Sequence, residues 1–309
     1  MIPPLRKLSI EVSSICNFNC TFCIPHRKGS KIINPRPPFM DFKLFTRIVS
    51  QYSSGFGIVS PQFQGEPLMH PQFLQICWYL EEMRVPFRFN TNGQLLTHRL
   101  SNELSKMKHL LGITFSIDGI TRETFEKIRI GSNFHKVMEN VRYAIEVGIP
   151  CGVNFVICED NQLELPSVVK YFLNTYRVRV TASIVTDDEG MPNGYFWKPE
   201  ERLPCLPDSA IVLTNGDVIP CCRDHKYEWV MGNLERQSLS EVWLDERYRS
   251  FWNLQERYLF NSNLGGVNIC GNCATWMCEV VREGRTEEYI EGIIATYYPF
   301  WVEFWRKEI

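Results

Sequence analysis

Between residues 8 and 185 short apolar runs alternate with amphipathic stretches, and this alternation limits the possible folds more than any other feature of the chain. Strand-like runs lie at 8–12, 56–63, 85–90, 111–117, 151–157 and 178–185, with helical patterns between them at 41–52, 71–83, 98–107, 134–147 and 163–174. Strands joined by helical connections pair in parallel through right-handed crossovers, so the sequence predicts an α/β domain around a parallel sheet. Six such units are two short of a closed eight-stranded barrel, which leaves an open partial barrel or a doubly wound sheet. In both, ligands gather at the carboxyl ends of the strands.

The alternation stops in a polar stretch containing Gly and Pro at 187–207. Beyond it the sequence predicts a hairpin, 210–213 and 218–221, around the turn Thr214-Asn215-Gly216-Asp217, where Asn-Gly is a strong turn signal. A helix over 239–253 and a cysteine cluster follow. The last segment is aromatic, with Tyr289, Tyr297, Tyr298, Phe300, Trp301, Phe304 and Trp305, and its acidic residues suit a helix packed on the protein better than one lying on an anionic bilayer. The expected organisation is a domain over 1–190, a second over 191–285 and a terminal helix over 286–309.

Twelve cysteines stand out against an ordinary globular composition, 44% hydrophobic and 22% charged with a formal net charge of -2. The N-terminus has no signal-peptide core and no apolar run is long enough to span a bilayer, so the expected location is cytoplasmic and no membrane partner is expected. In a reducing compartment metal binding or catalysis explains clustered cysteines better than disulfides do. The near-neutral charge and lack of a basic stripe argue against nucleic acid as a partner. Cys77, Cys151 and Cys158 sit among apolar neighbours and are expected to be small buried hydrophobes.

Cys16-x3-Cys20-x2-Cys23 directly follows the first strand and so belongs on a loop above the mouth of the sheet. Three such thiolates suit zinc with a distant fourth ligand, zinc completed by the nearby His26, or an iron–sulfur cubane with one iron left open. The segment Cys16-Asn-Phe-Asn-Cys20-Thr-Phe22-Cys23 resembles the CxxxCxxC signature of the radical S-adenosylmethionine (radical SAM) family. Three further segments fit in order: Gln64-Gly65-Glu66-Pro67, Asn90-Thr-Asn-Gly93 and Ser116-Ile-Asp118-Gly119. The common Gly-Gly-Glu-Pro form carries Gln64 at its first position here.

The resemblance spans roughly residues 6 to 185 and implies a partial (β/α)6, TIM-like barrel. It implies that Cys16, Cys20 and Cys23 hold three irons of a 4Fe-4S cluster whose fourth iron chelates SAM, and that reductive cleavage yields a radical able to take hydrogen from an unactivated carbon. The implied SAM contacts are Phe22 near adenine, Gly65, Glu66 and Pro67 at the methionine end, Asn90, and Ser116 and Asp118 toward ribose or carboxylate oxygens. Arg129 is expected either to pair with the SAM carboxylate or to be an exposed helix charge.

The C-terminal cysteines resemble the SPASM and Twitch extensions of that family, which implies one auxiliary 4Fe-4S cluster on Cys205, Cys221, Cys270 and Cys273. Zinc on the same ligands is the alternative. Cys222 and Cys278 are left over. If Cys221 faces the cluster from an extended strand, Cys222 faces away, toward the barrel mouth; a thiol there can return hydrogen to a substrate radical, as an epimerase requires. The alternatives are packing for Cys222, dehydrogenation of an alcohol carbon as the outcome, or action on a ribosomal peptide. A separate peptide-recognition domain before the first strand is not expected, and on that expectation a sugar or aminocyclitol substrate is favoured. An electron donor such as flavodoxin or ferredoxin is the implied partner.

Overall fold

The computed structural model describes residues 4–24, 36–52, 57–184, 208–222, 224 and 226–256. Its strands are β1 (Lys7–Ile10), β2 (Asn19–Cys20), β3 (Ile58–Ser60), β4 (Phe87–Thr91), β5 (Leu110–Ser116), β6 (Arg129–Ile130), β7 (Cys151–Ile157), β8 (Arg179–Ile184), β9 (Ser209–Val212), β10 (Asp217–Ile219) and β11 (Gly232–Asn233). The helices are α1 (Phe42–Tyr52), α2 (Phe73–Glu82), α3 (His98–Leu104), α4 (Arg122–Ile128), α5 (Phe134–Glu146), α6 (Leu165–Tyr176), α7 (Leu239–Trp243) and α8 (Glu246–Glu256). Strands β1, β3, β4, β5, β7 and β8 pair in parallel in that order, giving the six-stranded partial barrel that the resemblance implies and that is one of the two forms the alternation allows.

Local chemistry places the helices. Asp41 accepts from the backbone of Lys43 and Leu44 and starts α1, which buries Leu44, Phe45, Ile48, Val49 and Tyr52 at helical spacing. Thr97, Thr121 and Asn133 cap α3, α4 and α5 in the same way. The helices cover one face of the sheet, where Phe87, Phe89, Phe115 and Phe155 are fully buried or nearly so. Phe89 meets Phe73 of α2 edge to face at 5.0 Å. Each such side chain contributes about 1.5–3 kcal/mol of burial free energy, which fixes the strands' orientation as well as their stability.

The same two-residue period turns the other set of side chains to the concave face. Along β4, Phe87, Phe89 and Thr91 are buried while Arg88 and Asn90 are exposed. Pairing registers place Asn90, Thr114, Gly152 and Arg179 in one row across four strands, and Ser116, Asn154 and Thr181 in the next.

Three elements differ from the sequence expectation. The run 56–63 is a strand only over Ile58–Ser60, because Pro61 brings no donor to the ladder and the chain turns away after it. Helix α4 escapes notice in the sequence because only Phe125 and Ile128 are buried in its seven residues. The expected helix over 239–253 is two: a Ser238–Glu241 capping box starts α7, and Asp245 accepts from the Arg247 backbone to start α8.

The hairpin forms as expected, β9 antiparallel to β10, with Gly216 at φ +81° in the turn. It does not stand apart from the barrel, however. Strand β9 pairs in parallel with β1, so the sheet runs on as β11-β10-β9-β1 and the two regions share one sheet. The stretch 187–207, His26, Cys205, Cys270, Cys273, Cys278 and the aromatic tail lie outside the described residues. Among the described residues no helix is long and apolar enough to cross a membrane.

Candidate functional site

The cysteine loop leaves the carboxyl end of β1 and is pinned by the small β2–β6 ladder, which sets Cys20 opposite Arg129. Cys20 is buried, and Cys16 and Cys23 are half-buried. Donors converge on two of the sulfurs. The Phe18 backbone and the Asn92 amide reach Cys16 Sγ at 3.4 and 3.8 Å, and Arg129 Nη1 reaches Cys20 Sγ at 3.8 Å. Burial pushes the Cys16 thiol up to about 11, and burial raises Cys20 as well, against the pull of Arg129. Buried thiols of this kind are held as thiolates when a metal centre supplies positive charge, and the N–H donors then stabilise that charge.

Arg129 is no exposed helix charge. It closes α4 at a buried position, its Nη2 lies 2.5 Å from Asp118 Oδ2, and its guanidinium sits 5.7 Å from the Phe22 ring centroid. Asp118, fully buried, also accepts from the Val156 backbone at 2.7 Å; burial pushes its pKa up and Arg129 draws it back down. The residues expected at SAM's carboxylate and ribose thus form one ion pair beside Cys20. The guanidinium retains a buried Nε without a partner among the described residues, a donor suited to an anionic group.

Glu66 is buried and its carboxylate is engaged by Thr91 Oγ1 at 2.7 Å, the Asn92 backbone at 2.8 Å and the Leu68 backbone at 3.1 Å. Burial raises its pKa, and these hydrogen bonds offset part of that rise. It therefore caps the short 3-10 turn that begins at the buried Pro67 and ties that turn to the end of β4. Gly65 lies against the cysteine loop: a Cβ there would stand 2.3 Å from the Ser13 carbonyl oxygen, and Glu66 N donates to Ile15 O at 2.9 Å. Its lack of a side chain is required by that backbone approach. In the Asn90-to-Gly93 segment the residues that touch this network are Thr91 and Asn92; Asn90 stands on the concave face, near Thr114 of the same row. Ser116 ends β5, half-buried, beside Asn154. Asn92 follows Thr91 just past the end of β4 and is buried there, and nothing in the sequence sets it apart from Asn90.

Cys221 and Cys222 lie past the end of β10, where Asp224 N donates to Cys221 O at 3.2 Å, so strand pleating does not set their directions as the sequence expectation required. They differ in surroundings nonetheless: Cys221 is half-buried near the fully buried Tyr248, while Cys222 is exposed.

Among the described residues no three His, Cys, Asp or Glu side chains surround a point for a single metal ion. A cubane asks for a different arrangement, because each thiolate takes its own iron. The loop, its buried N–H donors and the unpartnered Arg129 Nε fit a cluster and an anionic ligand beside it.

Residues 10–171 match the model of the Radical SAM superfamily, and residues 205–274 match that of the SPASM iron-sulfur cluster-binding domain. A tungsten-containing aldehyde ferredoxin oxidoreductase cofactor-modifying protein of Pyrococcus furiosus is 25% identical, over 84% of this chain and 86% of its own length. The crystal structure of BtrN in complex with AdoMet and 2-DOIA shares the fold at 20% identity, with a TM-score of 0.58 over 89% of this chain and 94% of that one. SuiB of Streptococcus suis, bound to S-adenosylmethionine, shares it at 18% identity, with a TM-score of 0.66 over 82% of this chain and 68% of that one. The chain belongs to the radical SAM superfamily: it is an enzyme of a 4Fe-4S cluster and SAM, with a SPASM domain for an auxiliary iron–sulfur cluster following its partial barrel.

Proposed function

We propose that the enzyme takes a hydrogen atom from a carbon of a small hydroxyl-rich substrate, a sugar or aminocyclitol, and that a cysteine thiol returns hydrogen to complete an epimerisation. The observation that carries this reading is the concave face, where Asn90, Thr114, Ser116, Asn154 and Thr181 stand in two adjacent rows. Apart from Arg179, at the outer end of the first row, these rows present neutral donors and acceptors, suited to orienting hydroxyl groups. The Pyrococcus relative is named for modifying a cofactor, which also favours a small molecule over a peptide.

When bound, the cluster and SAM supply the 5'-deoxyadenosyl radical that accepts the substrate hydrogen. This chain's residues hold that chemistry in place: Cys16, Cys20 and Cys23 as iron ligands, Phe22, Gly65, Glu66, Pro67, Ser116, Asp118 and Arg129 around SAM. Cys205, Cys221, Cys270 and Cys273 are the proposed auxiliary ligands. Cys222, exposed beside Cys221, is the proposed hydrogen donor, with Cys278 the second candidate. Its S–H bond breaks as the new C–H bond forms, and the sulfur radical returns to the thiol by taking a proton from solvent and one electron from the external electron donor by way of the auxiliary cluster.

The test is turnover of candidate sugars in deuterated solvent. Epimerisation leaves the product mass unchanged in light water and adds one deuterium in heavy water, and Cys222→Ala still yields 5'-deoxyadenosine without epimer. A product lighter by two hydrogens would make the enzyme a dehydrogenase, and full turnover by Cys222→Ala would remove that thiol from the mechanism.

A further inference from the structure

Between the SAM-side loop and the SPASM region lies a buried polar chain that the catalytic reading does not use. Glu11, fully buried at the end of β1, receives Nε and Nη2 of Arg36 at 3.0 and 3.1 Å and the Thr214 backbone of the hairpin turn at 3.3 Å. The Arg36 guanidinium stacks 4.0 Å from the centroid of the Tyr227 ring. The Tyr227 hydroxyl donates to the side-chain oxygen of Gln64. Tyr227 is itself buried, seated with Ile211, Leu213 and Ile219 and against Phe63. One side of this chain is built on the hairpin region and the other on the loop that carries Gly65 and Glu66.

We propose that Tyr227 and Gln64 form a latch through which the SPASM region positions the SAM-side loop against the cysteine loop. The next residues leave no slack. Gly65 lies against the Ser13 carbonyl, Glu66 N bonds Ile15 O beside Cys16, and the Glu66 carboxylate holds Asn92, whose amide reaches Cys16 Sγ. Displacing Gln64 therefore displaces the surroundings of a cluster ligand. Tyr227 and Gln64 are positioning residues, and the latch serves either fate of the substrate radical.

Tyr227→Phe removes the hydroxyl, with its bonds to Gln64 and Arg36, and keeps the ring under Arg36. In the anaerobically reconstituted holoenzyme, amide hydrogen exchange at residues 64–66 and 92 is expected to speed up about three- to tenfold, the range that one buried hydrogen bond gives. SAM binding weakens by a similar factor while iron content is unchanged. Gln64→Ala, which removes the acceptor, reproduces the effect without touching the packed ring, and the double variant is no worse than Tyr227→Phe alone. Unchanged exchange at 64–66 in both variants, or full additivity in the double, overturns the latch. The exchange readout stands apart from catalysis: wild-type enzyme that forms no 5'-deoxyadenosine refutes the catalytic account and leaves this measurement to decide the latch.

Discussion

Arg129 shows what a single residue gains from its surroundings. In the sequence it is one cation beyond the Ser116-to-Gly119 segment; in the structure it is buried between Asp118 and Cys20. Removing one partner of a buried pair strands the other, so Asp118→Asn is expected to cost about 3–5 kcal/mol in denaturant unfolding of the apo-protein. Asp118→Asn combined with Arg129→Gln should recover a large part of that loss. The cysteine triplet stood out by its spacing, whereas roles for Glu66 and Asp118 came only from the resemblance of their segments to the radical SAM family. Arg129's partner depends on how the chain runs on past the end of β5, and the choice of Asn92 over Asn90 on where β4 ends: Asn90 is exposed within the strand and Asn92 buried just past it, yet two asparagines separated by one residue look alike in sequence.

At the scale of elements, loops above the sheet are tied by side chains that need not be near them in sequence. Glu164 accepts from the backbones of Ile120 and Thr121 at 2.6 and 3.1 Å and from Thr121 Oγ1 at 2.6 Å, clamping the connection between Asp118 and α4. Burial alone would raise its pKa, but the hydrogen bonds from Thr121, Thr124 and Ile120 outweigh that and hold it below the ordinary value. A carboxylate with a depressed folded pKa contributes stability above its unfolded value, about 4.3, and loses it as pH falls further. Glu164→Gln is therefore expected to lower stability by about 1 kcal/mol at neutral pH, with the gap to wild type closing in unfolding curves taken progressively below that pH. Gly65→Ala tests the seam between the two loops. The added Cβ collides with the Ser13 carbonyl, a backbone atom that cannot swing aside, so a loss of about 1–3 kcal/mol and poorer cluster retention by iron analysis are expected. The strand-and-helix order of these elements was plain from periodicity; α4 was not, since seven residues with two buried positions leave no periodic signal.

For the whole molecule, the hairpin that the sequence assigned to a second domain completes the barrel's sheet. Strand β9 covers the edge of β1, with Arg6 N and Lys7 N donating to Asp208 O and Glu11 N to Val212 O. A chain cut at residue 184 would bare that edge and uncover Glu11, so sedimentation is expected to find it aggregated, with no stable monomer. Pairing between β1 and β9 joins segments about two hundred residues apart, and no local pattern encodes it. The central claim is that Cys16, Cys20 and Cys23 hold the cluster at which SAM is cleaved. The direct measurement is iron content and 5'-deoxyadenosine formation by reconstituted wild type beside the variant with all three changed to Ala. The variant is expected to lose about four irons, one cluster's worth, and all 5'-deoxyadenosine, as that assignment of the three thiolates requires. A variant that keeps its iron and forms 5'-deoxyadenosine at the wild-type rate would contradict it.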